Sequence, residues 1–227
     1  MTVGLTNNYG NVWNTTTTPK TASVTVTATD WLAVLIAGRS NATTFTVSGG
    51  TGLVWTQQTA ISANASAPST SIYTCPPTSS QTFTISVAQS STFAWGFIVL
   101  QLSGVLGIGA KTSVQDVVSG SEQTSLTTTV ANSAILMMLN DRGTGAAPTY
   151  VTASAGAFTQ PATVSAQGNY AGIYLNAGAV GAKTIGLSSP TGTASTISAV
   201  ELTPIPGTVV KGKIIANRAA LVSAATY

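Results

Sequence analysis

The chain contains no histidine, a single cysteine and very little charge. Its 227 residues include 8 Lys+Arg and 5 Asp+Glu, 6 % charged, where about 25 % is usual. Each shortage removes a class of chemistry. Without His there is no Ser-His-Asp or Cys-His relay and no imidazole metal ligand. Cys75 alone can form neither an internal disulfide nor a thiolate zinc cluster, and reads as a partly buried, inert thiol. Proton-transfer groups are so scarce that no enzyme, cofactor or metal is expected. Asp116 and Glu122 lie in a Gly/Ser-rich stretch, but calcium takes 6–8 oxygens and usually several carboxylates, and no acidic cluster or EF-hand spacing exists.

The remaining charge is unevenly placed. No Asp, Glu, Lys or Arg occurs between Arg39 and Lys111, nor from Gly143 to Ala182. Residues 1–204 carry five basic and five acidic side chains, so Lys211, Lys213 and Arg218 account for the whole net charge of +3. All three follow the Pro204-Ile205-Pro206-Gly207 break, and residues 205–227 read as a basic tail, either solvated or docked on an acidic neighbour. Three charges make a weak polyelectrolyte attraction, so nucleic acid is not an expected partner.

Hydrophobic residues make up 44 % of the chain, enough for a core. Ala22-Ser23-Val24-Thr25-Val26-Thr27 and Thr82-Phe83-Thr84-Ile85-Ser86-Val87 alternate with period two, the pattern of antiparallel strands with one face in a core. Residues 31–38 (WLAVLIAG) and 97–102 are continuous apolar runs of strand length, which suit strands buried on both faces. Gly49-Gly50, Pro76-Pro77, Gly143-Thr144-Gly145 and Ser189-Pro190 mark turns. Helical periodicity is confined to residues 216–225. Residues 93–110 are apolar but interrupted by Gln101, Ser103 and four glycines, and read as a buried strand plus a Gly-rich linker rather than a membrane span. Residues 1–9 lack a basic start and an apolar h-region, so no signal peptide is expected.

Landmarks repeat in order. Asp30 and Asn132, Arg39 and Arg142, Tyr73 and Tyr174, and Gln101 and Glu201 are separated by nearly constant offsets, each in a similar strand context. The expected organisation is a tandem duplication: an N-terminal arm (1–19), a first β-sandwich (20–105), a Gly-rich linker (106–112), a second sandwich (113–204) and the tail. Each copy would hold about seven strands in an all-β, antiparallel sandwich of the immunoglobulin-like or jelly-roll type.

Few residues stand out as binding groups. Asp30 and Asp141 flank apolar strands and read as turn caps or local ion-pair members, and Glu201 as a hydrogen-bonded or solvent-facing group. Phe93, Trp95, Phe97 and Val99 share one strand face, which reads as core, as does Trp31. Trp13, on the polar N-terminal arm, is the candidate for insertion into a neighbouring subunit, and Trp55 for stacking on a sugar. Lys211, Lys213 and Arg218 are the candidates for docking the tail. The sequons at Asn14, Asn41 and Asn64 are no more than Asn and Ser/Thr abundance produces by chance.

The run SVTVTATDWLAVLIAGR, followed by TGLVWTQQ, STSIY, QTFTISV and WGFIVLQLSGV, resembles the Ser/Thr/Gly-rich β-sandwich proteins of tailed-bacteriophage virions, the capsid decoration (cement) and minor tail proteins. The resemblance covers the first copy well and the second in outline. It implies a non-enzymatic structural protein, made in the host cytoplasm without leader or disulfides, with a major capsid or tail protein and other copies of itself as partners, and no membrane. The alternative is a carbohydrate-binding adhesion module that contacts host glycans.

Overall fold

The computed structural model describes residues 1–39, 44–61, 68–76, 79–116, 122–142, 147–160, 168–190 and 194–206. These form sixteen strands and no helix, and hence no helix long and apolar enough to cross a membrane. The first eight strands are β1 (Gly4–Thr15), β2 (Lys20–Val26), β3 (Trp31–Gly38), β4 (Phe45–Ser48), β5 (Thr56–Ile61), β6 (Ser69–Cys75), β7 (Gln81–Gln89) and β8 (Trp95–Ser103). The second eight are β9 (Val105–Asp116), β10 (Gln123–Thr128), β11 (Ala134–Asn140), β12 (Thr149–Tyr150), β13 (Phe158–Thr159), β14 (Asn169–Tyr174), β15 (Gly181–Ser189) and β16 (Ser195–Pro204).

Strand order repeats between the halves. The first half pairs β1-β8-β3-β6-β5 in one sheet and β2-β7-β4 in the other; the second pairs β9-β16-β11-β14-β13 and β10-β15-β12. Every strand of the second half occupies the place of the strand eight earlier. An immunoglobulin sandwich keeps its first two strands in one sheet. Here β1 and β2 lie in different sheets and β1 closes against β8, as in a jelly roll, except that β5 pairs with β6 in the five-stranded sheet and leaves three strands in the other.

The four sheets stack as layers of three, five, five and three strands, and the side-chain period of two explains how. On β3, Leu32, Val34 and Ile36 face the first three-stranded sheet and pack with Val24, Ile85 and Trp95. The alternate residues Ala33, Leu35 and Ala37 face the other way, into a middle core with Leu136, Met138, Ile173 and Val200 of the second half. On β11, Ile135, Met137 and Leu139 fill a third core with Tyr170, Tyr174 and Ile185. The apolar runs therefore carry no polar alternation because both faces are buried. Hydroxyls extend the middle seam: Thr70 Oγ1 lies 2.8 Å from Ser198 Oγ, and Thr196 Oγ1 donates to the Pro68 carbonyl at 2.7 Å.

Three boundaries differ from the sequence reading. Residues 4–15 of the expected arm are β1, paired with β8 from Gly4↔Ser103 to Thr15↔Trp95. Residues 106–112 of the expected linker lie inside β9, paired with β16. Each half thus has eight strands, and Gly104 alone (φ +69°) separates β8 from β9. Both misread strands are edge strands interrupted by glycine, Gly4 and Gly10 in β1 and Gly107 and Gly109 in β9, which hides the strand pattern. Gly104 is required where it stands, because a Cβ there would come within 2.4 Å of the Thr2 carbonyl oxygen. The tail also begins later than position 205: Ile205 N–H donates to Gly104 O, and its carbonyl accepts from the Met1 ammonium at 2.8 Å. Residues 207–227, the helical pattern at 216–225 and the Gly143-Thr144-Gly145 turn lie outside the described residues.

Candidate functional site

The carboxylates bind the fold together. Asp30, buried just before β3, accepts from Gln101 Nε2 at 2.7 Å and from Thr6 Oγ1 at 3.3 Å. Gln101 in turn accepts from the Tyr9 hydroxyl at 2.8 Å. In the second half the roles are exchanged. Asn132 stands at the position of Asp30, and Glu201, fully buried on β16, stands at that of Gln101. The Glu201 carboxylate accepts from the backbone N–H groups of Ala110, Thr129 and Val130 and from Thr129 Oγ1, at 2.8–3.1 Å. Burial alone would raise the Glu201 pKa, but these donors outweigh it and hold it below the usual value. Each half thus keeps one carboxylate that ties its last strand to the turn before its third strand. Gly109 is part of this arrangement, since a Cβ there would sit 2.2 Å from Glu201 Oε2.

Asp141, also buried, accepts from the Tyr170 hydroxyl at 3.3 Å. Burial, then the neighbouring Asp141 carboxylate, push the Tyr170 pKa up. Among the described residues no three Asp, Glu or Cys side chains converge to hold a metal. Cys75 is buried, and burial raises its pKa further from the thiolate range.

The tryptophans divide between packing and surface. Trp13, expected to reach a neighbour, is half-buried on β1 and packs against the middle core. Its indole Nε1 is buried with no hydrogen-bond partner among the described residues. Trp31 packs against the same core, and Trp95 is buried in the first. Phe93 departs from the expected face: it precedes β8 and is 58 % exposed. Trp55 is half-buried on the first core, and its Nε1 donates to Gly49 O at 3.0 Å, which fixes the ring beside the exposed Val54. Lys211, Lys213 and Arg218 lie outside the described residues.

Lys20 was not singled out from the sequence. It opens β2, is buried, donates from Nζ to the Trp95 carbonyl and lies 4.6 Å from the centroid of the Trp95 ring. Burial lowers its pKa to about 8. Nothing in the local sequence distinguishes Lys20 from a surface lysine, because its burial comes from β8, seventy-five residues away. At the pole where the ends of the described chain meet, a cleft of about 400 Å³ is bordered by Met1, Val130, Asn132, Pro204, Ile205 and Pro206.

No family model, curated protein or solved structure matches the chain.

Proposed function

We propose that this chain is a non-enzymatic structural protein of a bacteriophage particle, one that decorates the capsid lattice and attaches through residues 207–227. The observation that carries the reading is the joining of the two ends of the body, Met1 to Ile205 and Ile205 to Gly104. It gives a four-layer block whose two described ends meet at one pole, with the basic residues Lys211, Lys213 and Arg218 following in the sequence. Jelly-roll order is common in capsid proteins, and equally in lectins, so the fold supports the reading without selecting it. A charge-poor surface suits broad contacts with repeated neighbours, where unpaired buried charges are costly.

The test is the copy number of the chain in purified particles, together with truncation after Pro206. The truncated chain should keep its melting temperature within about 2 °C, since 1 kcal/mol corresponds to roughly 2–4 °C at this size, and should no longer attach. Attachment of the truncated chain at normal copy number would refute the tail as the anchor. The same block in the tail of the particle, as a minor tail protein, is separated from the capsid reading by which substructure retains the chain after dissociation.

A glycan-binding adhesion module is the second reading, favoured by the fixed Trp55 ring next to Val54. It requires saturable binding on a glycan array that falls at least tenfold in Trp55→Ala. An array without any binding removes it.

A further inference from the structure

Charge is missing from one whole outer face of the molecule. β2 and β4 flank β7, and their outward side chains form a grid of hydroxyls. The register sets Thr25 opposite Thr82, Ser23 opposite Thr84 and Thr21 opposite Ser86; on the other side of β7, Ser48 lies opposite Ser86 and Thr46 opposite Ala88. All of these are exposed except Ser86 and Ala88, which are half-buried. Side chains directly opposite one another on a sheet face have Cβ atoms about 5 Å apart, and Thr25 Oγ1 lies 3.0 Å from Thr82 Oγ1. Lys20, the one charged residue of these three strands, is buried.

An aromatic ring is tied to the rim of this grid. Gly49 follows Ser48 at the end of β4 and lies against β7, where a Cβ would come within 2.2 Å of Thr84 O. Its carbonyl accepts from Trp55 Nε1 at 3.0 Å, and Trp55 is half-buried beside the exposed Val54. The opposite outer sheet, β10-β15-β12, is also without exposed charge, but its face is sparser. There Ser125 opposes Thr184, whereas Thr127 opposes Ala182 and Gln123 opposes Gly186, and the second half has no tryptophan.

We propose that the outer face of β2-β7-β4, with Trp55 at its rim, binds a neutral polysaccharide; the proposal rests on the glycan reading above and names its ligand class and its surface. Serine and threonine hydroxyls both donate and accept hydrogen bonds, as sugar hydroxyls do, so the grid can meet a sugar chain in either sense of donation. Charge selects among glycans. A carboxylate or sulfate laid on this face would lose water and meet no exposed cation, and an ion desolvated without a partner is costly. Area argues against a protein. Three strands about 4.8 Å apart and about 23 Å long give a face on the order of 300 Å², whereas each side of a stable protein pair contributes about 800 Å². A polymer offsets weak single contacts by repetition, because neighbouring segments of one chain rebind at high effective concentration.

The test uses the full chain on immobilised, biotinylated polysaccharides at physiological salt, with dextran, laminarin and galactomannan as neutral probes and alginate and heparin as anionic ones. The parent chain should bind at least one neutral probe, and Ser23→Lys/Thr84→Lys should weaken that binding at least tenfold. Thr82→Val/Thr84→Val keeps the β-branched shape, removes two hydroxyls and should weaken it about threefold; it decides the matter if the lysine variant does not fold. Ser125→Lys/Thr184→Lys, which adds the same charge to the opposite face, should change binding less than twofold, and an equal loss there would reduce the effect to net charge and overturn the proposal. Binding to the anionic probes alone would overturn the neutral class. Loss in Trp55→Ala with both face variants unaffected would overturn the face. Either result leaves the glycan reading standing, whereas a glycan array without any binding removes the reading and the proposal together. A change of oligomeric state in the face variants, with glycan binding intact, would assign the face to a second copy and overturn the proposal as well.

Discussion

Glu201 and Lys20 are the two buried charges whose environments are most fully defined: donors hold Glu201 in its charged form, whereas burial disfavours the charged form of Lys20. Glu201 accepts from three backbone N–H groups, two in the turn before β11 and one in β9. Glu201→Ala should cost about 3–5 kcal/mol, the scale for removing a buried, hydrogen-bonded charge and stranding its donors; Glu201→Gln, which keeps one acceptor oxygen, should cost less. Urea unfolding of both variants checks the order. The depressed pKa makes this contribution fully present above the ordinary carboxylate value and lost as pH falls through the lower, folded-state value. Lys20 has its folded-state pKa lowered to about 8 from 10.5. Between these values the unfolded chain binds more protons, so its contribution to stability rises with pH. Tyr174, raised to about 12 chiefly by burial, acts the other way once pH exceeds 10, because the unfolded chain then releases protons first. Urea midpoints should therefore rise from pH 8 to 9, level off where the raised Cys75 thiol opposes Lys20, and fall beyond 10. Lys20→Met should abolish the rise and leave the fall.

At the level of strands, β1 and β9 carry the contrast between a removable arm and an integral element. Deleting residues 1–15 removes the whole β1 ladder with β8 and the packing of Val3, Leu5 and Trp13 on the middle core. The expected result is a fall in melting temperature of more than about 10 °C, or no folded protein, given roughly 2–4 °C per kcal/mol. A free arm would leave it unchanged. In β9, Gly109→Ala should reproduce the loss seen in Glu201→Ala, because the added methyl occupies the space of the carboxylate oxygen. A melting temperature unchanged from the parent chain would show that β9 can shift without cost.

Across the whole molecule, the middle core makes the halves interdependent. Its sixteen buried residues come from both five-stranded sheets. Separating the halves would expose on each a continuous apolar sheet face, including Leu35, Ile98 and Leu100 on one side and Leu136, Met138 and Val200 on the other. Calorimetry should accordingly show a single transition with calorimetric and van't Hoff enthalpies equal. Leu100→Ala should lower that transition as a whole, by about 2–5 kcal/mol. Two resolved transitions, only one of them shifted, would mean that the seam contributes little.

Local patterns were sufficient for much of this protein. Alternation in residues 22–27 and 82–87 placed β2 and β7, and the unbroken apolar run at 31–38 placed β3 as a strand buried on both faces, because side-chain period is a local property. The charge inventory, with the whole excess after residue 206, is likewise a matter of counting. What covers each face depends on partners far away in the chain. The conversion of arm and linker into β1 and β9 and the burial of Lys20 under Trp95 depend on contacts across 75 residues or more, and Leu35 faces a core completed by the second half of the chain. The strand order depends on the same distant contacts. The clearest case is electrical: ten charges that cancel in sequence are sorted by folding, with Asp30, Glu122, Asp141 and Glu201 drawn inside while Arg39, Lys111 and Arg142 stay at the surface.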